Sequence, residues 1–111
     1  MRKYNYNFGV SGIRFEWDER KNLANQRKHR VAFEDAALVF DDPLRVSHLE
    51  RVEDGEERWQ TFGRVGATLL LMVAHTVREE LANGLFTEVV RIISARRATG
   101  PERRDYEAEN G

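Results

Sequence analysis

At Asp41-Asp42-Pro43 the chain changes its hydrophobic period, and that change restricts the possible folds more than any other feature. Upstream, Phe33 to Phe40 reads as a short helix, with Ala36, Ala37 and Phe40 at the i, i+3, i+4 spacing. The residue before a proline avoids the helical region, so this helix ends at Asp42. Downstream, the period drops to two. Leu44 to Arg51 reads as a strand, Glu53 to Glu57 as an acidic turn around Gly55, and Arg58 to Val65 as the partner strand. Gly66 then leads into Ala67 to Thr76, whose continuous apolar run marks a central strand buried on both faces. Ala82-Asn83-Gly84 supplies a loop, and Leu85 to Ala95 returns as the next strand.

The ends of the chain complete the layout. Ile13 to Trp17 alternates as a short strand, Asp18 suits an N-cap, and Glu19 to His29 is a helix that is polar nearly all round. Thr99 and Glu102 have capping-box spacing with Pro101 in the first turn, so a helix from Pro101 to about Glu109 closes the domain. These elements predict an α+β fold. Its antiparallel sheet has a short N-terminal strand followed by a four-strand meander, with two N-terminal helices and one C-terminal helix. Residues 1–12 show no periodicity and are expected to form a flexible leader, leaving residues 13–111 as one domain.

Charged residues make up 33% of the chain, so the core has to come from a few concentrated apolar runs. The longest, Leu69 to Ala74, is strand-sized and far short of a membrane span. The first residues lack the apolar segment of a secretory signal, and there is no cysteine for disulfide or thiolate chemistry, so a cytoplasmic location is expected. The net charge of −1 conceals blocks. Arg14 to Arg30 carries six basic and three acidic residues, Glu34 to Glu57 two basic and nine acidic, and Arg58 to Thr99 six basic and three acidic. Such blocks suit either a two-signed molecule or an ordinary solvated surface. All but three of the eighteen basic residues are arginines. In Arg91 to Tyr106 they stand on a fixed strand end beside a fixed helix, where a guanidinium fork can grip phosphate or carboxylate at two points.

Several segments recur in one order: Phe15-Glu16-Trp17-Asp18 with Lys21, Asn25 and Lys28-His29; the Phe33 to Phe40 helix with Asp42-Pro43; Gly55 to Thr61; His75 to Arg78; Arg91 to Arg96; and Glu102 to Tyr106. Together, from Phe15 to Tyr106, they resemble the BrnT family, ribonuclease toxins of bacterial type II toxin–antitoxin systems with a RelE-like fold. The resemblance implies a toxin that cleaves RNA and inhibits translation. It also implies neutralisation by a BrnA-type ribbon-helix-helix antitoxin, in a heterotetramer that binds operator DNA only through the antitoxin. It places the first helices on one side of the sheet and a basic cleft on another. One departure is Arg30, where the family usually has a glycine; the first helix is expected to end differently or to run one residue longer.

For such a reaction, the 2′-hydroxyl attacks its own phosphate, which needs a base, cations for the developing charge and an acid for the leaving oxygen. The three histidines, at 29, 48 and 75, have no metal-ligand spacing, and no carboxylate cluster resembles a two-metal site, so a metal-free route with no cofactor is expected. Alternation puts Arg58, Gln60, Phe62 and Arg64 on one face of their strand, and groups Val89, Arg91, Ile93 and Ala95 on the last. Arg58, Arg78 and Arg91 are therefore the expected phosphate and transition-state clamps, with Arg96 in support. Lys28 or His29 is assigned to proton transfer, and Lys21 to a neighbouring phosphate. Each has a structural competitor: Arg58 pairing with Glu56 or Glu57, Arg91 pairing with Glu16 or Glu88, His75 as a hydrogen-bonded core residue, His48 as an idle surface residue. Trp17, Trp59, Phe33 and Phe40 read as core, and Tyr106 as the anchor of the last helix. The alternative function is a non-catalytic RNA-binding or co-repressor subunit using the same arginines.

Overall fold

Two tight turns set the frame of the sheet. Asp54-Gly55 and Asn83-Gly84 each hold φ positive at both positions (52° and 77°, 53° and 76°), the geometry that lets a two-residue hairpin follow the strand twist. The computed structural model describes residues 2–6 and 12–111. Its elements are β1 (Arg2–Tyr6), β2 (Ile13–Trp17), α1 (Glu19–His29), α2 (Phe33–Ala37) continued by a 3₁₀ turn (Leu38–Asp41), β3 (Val46–Glu53), β4 (Glu56–Val65), β5 (Leu69–Ala82), β6 (Leu85–Arg97) and α3 (Gly100–Glu109). Residues 2–6, which the sequence alone assigns to a leader, pair antiparallel with β2; residues 1 and 7–11 lie outside the described residues.

The strand order is β1-β2-β6-β5-β4-β3. β2 runs parallel to β6, with Ile13 opposite Glu88 and Glu16 opposite Arg91. The expected antiparallel sheet is thus corrected to a mixed one, antiparallel at every other pairing. Parity explains it. The helices carry the chain across to the far edge, where β3 runs opposite to β2, and three reversals later β6 runs with β2. Among the described residues no helix is long and apolar enough to cross a membrane.

Each face of the sheet has its own layer. Phe15, Trp17, Leu71, Val73, Val90, Ile92 and Ala95 face α2 and the 3₁₀ turn, burying Phe33, Ala36, Ala37, Val39 and Phe40. On the other face α3 lays Tyr106 over Phe62, Leu70 and Met72. A bulge in β6 shifts the alternation: Ser94 pairs with Ala74, but Ile92 pairs with His75, leaving Ile93 extra. The expected grouping of Ala95 with Val89 and Arg91 is therefore corrected, since Ala95 belongs to the helix-side core. Ser94 and Arg96 take over the face of Arg91.

The polar helix α1 is seated by amides instead of an apolar stripe. Where β2 has ended, the Asn25 side chain accepts from the Ala95 backbone N–H (3.1 Å) and donates to the Ala95 carbonyl (2.8 Å), as a neighbouring strand would. Asn22 accepts from the Phe33 N–H at 2.8 Å and so ties α1 to α2. The helix stops at His29 because Arg30 itself adopts the left-handed cap (φ 59°, ψ 33°), its N–H donating to the Gln26 carbonyl. The helix ends where a glycine would end it, with arginine in the glycine's conformation.

Candidate active site

Register and alternation bring arginines from four strands onto the face that α3 only partly covers. Arg58 on β4 stands opposite Thr76 on β5, Thr76 opposite Arg91 on β6, and Arg91 opposite Glu16 on β2. One position along, Arg78 pairs with Val89, and Val89 with Arg14. Arg58 and Arg91 thus rise from backbones about 10 Å apart, two strand spacings, with Thr76 between them. Val89 is fully buried between Arg14 and Arg78. The hydrocarbon stems of such arginines can cover an apolar floor while their heads stay outside.

Carboxylates hold these heads in order. The buried Glu16 accepts two hydrogen bonds from Arg78, at 3.0 and 2.9 Å, in a bidentate fork. Arg14 stands 3.7 Å from the same carboxylate. Glu80, one strand repeat beyond Arg78 on the same face, bonds both Arg78 (2.9 Å) and Arg14. Arg91 pairs with Glu56 at 2.7 Å, not with Glu16 or Glu88. Arg58 lies 3.6 Å from Glu53 across the acidic turn, and its Nε is buried without a hydrogen-bond partner among the described residues. The Glu16 and Glu80 hydrogen bonds push the Arg78 guanidinium up, further from any neutral form. Arg14 first, then Arg78, holds the Glu80 carboxyl below its ordinary value.

The other expected site residues fall elsewhere. Lys21 is exposed in the first turn of α1, and Lys28 and His29 are in its last turn; α1 attaches at the Ala95 end of β6 and to the helix layer. The structure does not bring these three to the arginine row. Arg96 is on the right face, but it forms a two-point pair with Glu102 (2.8 and 3.0 Å) that supports the capping box of α3. Arg96 draws the Glu102 carboxyl down to about 2. His75 is a core residue, its Nε2 2.6 Å from the Thr61 hydroxyl and its ring edge-on to Phe40. Trp59 is half-buried and lines a hollow of about 460 Å³ with Phe40 and His75 on the helix-side face, which Arg45 and Arg78 also border.

Sequence reasoning missed two kinds of residue. One is Glu80, together with the true pairings of Glu16 with Arg78 and of Glu56 with Arg91, because these contacts cross strands distant in sequence. The other is His48, which pairs with Gln60 and stands edge-on to Phe62 on the arginine face. It opens a groove of about 510 Å³ between β3–β4 and α3, floored by Val46, Phe62 and Tyr106. The signal available was alternation, since Gln60 is two residues from Arg58. Among the described residues no three histidine, aspartate or glutamate side chains converge as a metal site.

Comparison with known proteins places the chain. A family model described as ribonuclease toxin, BrnT, of type II toxin–antitoxin system matches residues 17–102. Among solved structures, the chain is similar to the Brucella abortus ribonuclease toxin BrnT at 22% identity and a TM-score of 0.51. That likeness covers 77% of this chain and 95% of the other. No curated protein sequence matches.

Proposed function

The chain belongs to the BrnT family of ribonuclease toxins of type II toxin–antitoxin systems, and from that premise we propose that its arginine face cleaves RNA without a metal ion and so inhibits translation. The observation that carries the reading is the Arg58–Thr76–Arg91 row, in register across three strands, with Arg78 beside it. In this reading a phosphodiester lies over the row. Its 2′-hydroxyl attacks the adjacent phosphorus, the 5′-oxygen leaves, and Arg58 and Arg91 take the charge that builds on the non-bridging oxygens. Arg78 holds a neighbouring phosphate at two points. Guanidinium groups are donors and not metal ligands, which supports a route that uses positioned cations throughout.

Proton transfer, expected from Lys28 or His29, is reassigned to His48, the histidine that shares the arginine face. An imidazole can both take and return a proton in such a step. Lys21 has no part in this arrangement, and Arg96 acts as scaffold. The fold is read as RelE-like, and the partner as a BrnA-type ribbon-helix-helix antitoxin in a heterotetramer that meets operator DNA through the antitoxin. Family membership supports these assignments.

The test is cleavage of RNA by the purified chain in excess EDTA. Arg58→Ala and Arg91→Ala should each lower kcat/KM by about a hundredfold or more with the circular dichroism spectrum unchanged. His48→Gln should remove one limb of the pH–rate profile. Wild-type protein that binds RNA but leaves it whole would favour the non-catalytic alternative. Cleavage that requires magnesium would end the metal-free route.

A further inference from the structure

Every arginine of the row meets a carboxylate of its own chain, but the carboxylates are not alike. Glu16 has only 6% of its side chain exposed and lies between β6 and β1, held by the sheet on both sides. Glu56 is 46% exposed at the start of β4, one residue from the Asp54-Gly55 turn. Glu80 is 37% exposed where β5 extends beyond the core. Each offers its oxygens where a phosphate oxygen would go, at hydrogen-bond distance from Arg91 or from Arg78 and Arg14.

We infer that the arginine face binds RNA by exchange: Glu56 and Glu80 occupy phosphate seats on Arg91 and on the Arg14–Arg78 pair, and RNA displaces them, while Glu16 stays and fixes the direction of Arg78. The inference rests on the reading of this face as the RNA site. Its physical basis is the difference in burial. An exposed pair is worth little, because water and salt compete with it, so a phosphodiester of equal charge, delivered with its neighbours on one chain, replaces the carboxylate readily. Removing the buried Glu16 would strand part of a guanidinium fork with no substitute, since it lies below the surface that RNA reaches. Glu16 is thus a positioning residue acting through Arg78, and Glu56 and Glu80 are covers that keep the arginines extended and solvated anions out. The covers also make binding selective: a ligand has to replace two carboxylates at once, which a single small anion does poorly and a chain of phosphates does well.

The experiment measures affinity for a short oligoribonucleotide blocked by 2′-O-methyl groups, and KM and kcat on its cleavable counterpart. Glu56→Gln and Glu80→Gln should each tighten binding about two- to fivefold and lower KM more than they change kcat. The gain from Glu56→Gln should vanish in an Arg91→Ala background, and that from Glu80→Gln in a background carrying both Arg14→Ala and Arg78→Ala. Glu107→Gln, an equal charge change on the outer side of α3, should leave affinity unchanged. Glu16→Gln should instead lower kcat at least tenfold, with Glu16→Asp recovering part of it. Should the buried variant fail to fold, the two exposed ones decide alone. Exchange is wrong if Glu56→Gln and Glu80→Gln leave binding unchanged or weaker, or if their gains survive loss of the paired arginine. If Arg91→Ala does not weaken binding at all, the RNA-site reading fails and the exchange with it.

Discussion

Single residues here carry costs that can be measured. Arg30 sits in the left-handed region, which disfavours any side chain with a Cβ by about 1–2 kcal/mol. Arg30→Gly relieves that strain but frees the unfolded chain, so a net gain near 1 kcal/mol and a rise in Tm of roughly 4 °C are expected. His75 shows a different cost. Burial holds its imidazole down to about 4, only partly offset by its contact with the Thr76 carbonyl. Between its ordinary 6.5 and about 4 the unfolded chain takes up a proton that the folded one refuses. Stability should therefore fall as pH drops through that window, by up to about 1.4 kcal/mol per pH unit, and level off below it. In His75→Gln the slope between those limits should flatten, as read from Tm against pH. Glu102 adds a second window further down: its folded value near 2 gives stability that is complete above 4.5 and lost as pH falls toward 2.

Elements meet at places where one atom decides the fit. At Gly63 on β4, an added Cβ would stand 2.7 Å from Val39 Cγ1 and 2.9 Å from the Val39 carbonyl oxygen. A side chain can swing away, but backbone cannot, so Gly63→Ala should push the 3₁₀ turn off the sheet and cost about 1–3 kcal/mol, seen as an earlier denaturation midpoint at unchanged m-value. Hairpins such as those at Asp54-Gly55 and Asn83-Gly84 were legible in the sequence because their chemistry is local. So was the Thr99–Glu102 capping box, since caps are written within four residues, whereas the end of α1 was not, because Arg30 takes the left-handed cap that its side chain disfavours. The parallel pairing of β2 with β6 was not legible, because it joins residues some seventy positions apart and rests on how many times the chain reverses. Nor was the bulge at Ile93, which carries no glycine or proline to mark it and moves Ala95 and Arg96 to opposite faces from those that simple alternation gives.

Across the whole molecule, the same distinction governs the candidate site. The sequence singles out Arg58 by its strand face, Arg78 by its place after the central apolar run and Arg91 by its apolar neighbours. Only register shows that they stand side by side, that Glu16 backs them, and that α1 with Lys28 and His29 belongs to the other layer. The charge blocks of the sequence turn out to be interleaved in space: acidic residues of the β3–β4 turn reach arginines contributed by later strands. Both apolar clusters, meanwhile, leave the arginine row out. That separation has a consequence for control. A partner laid across the arginines would stop their chemistry without entering either core, so the blocked molecule would be fully folded and stabilised only by the partner's own binding energy. Its activity would return at the speed of dissociation, with no refolding to wait for.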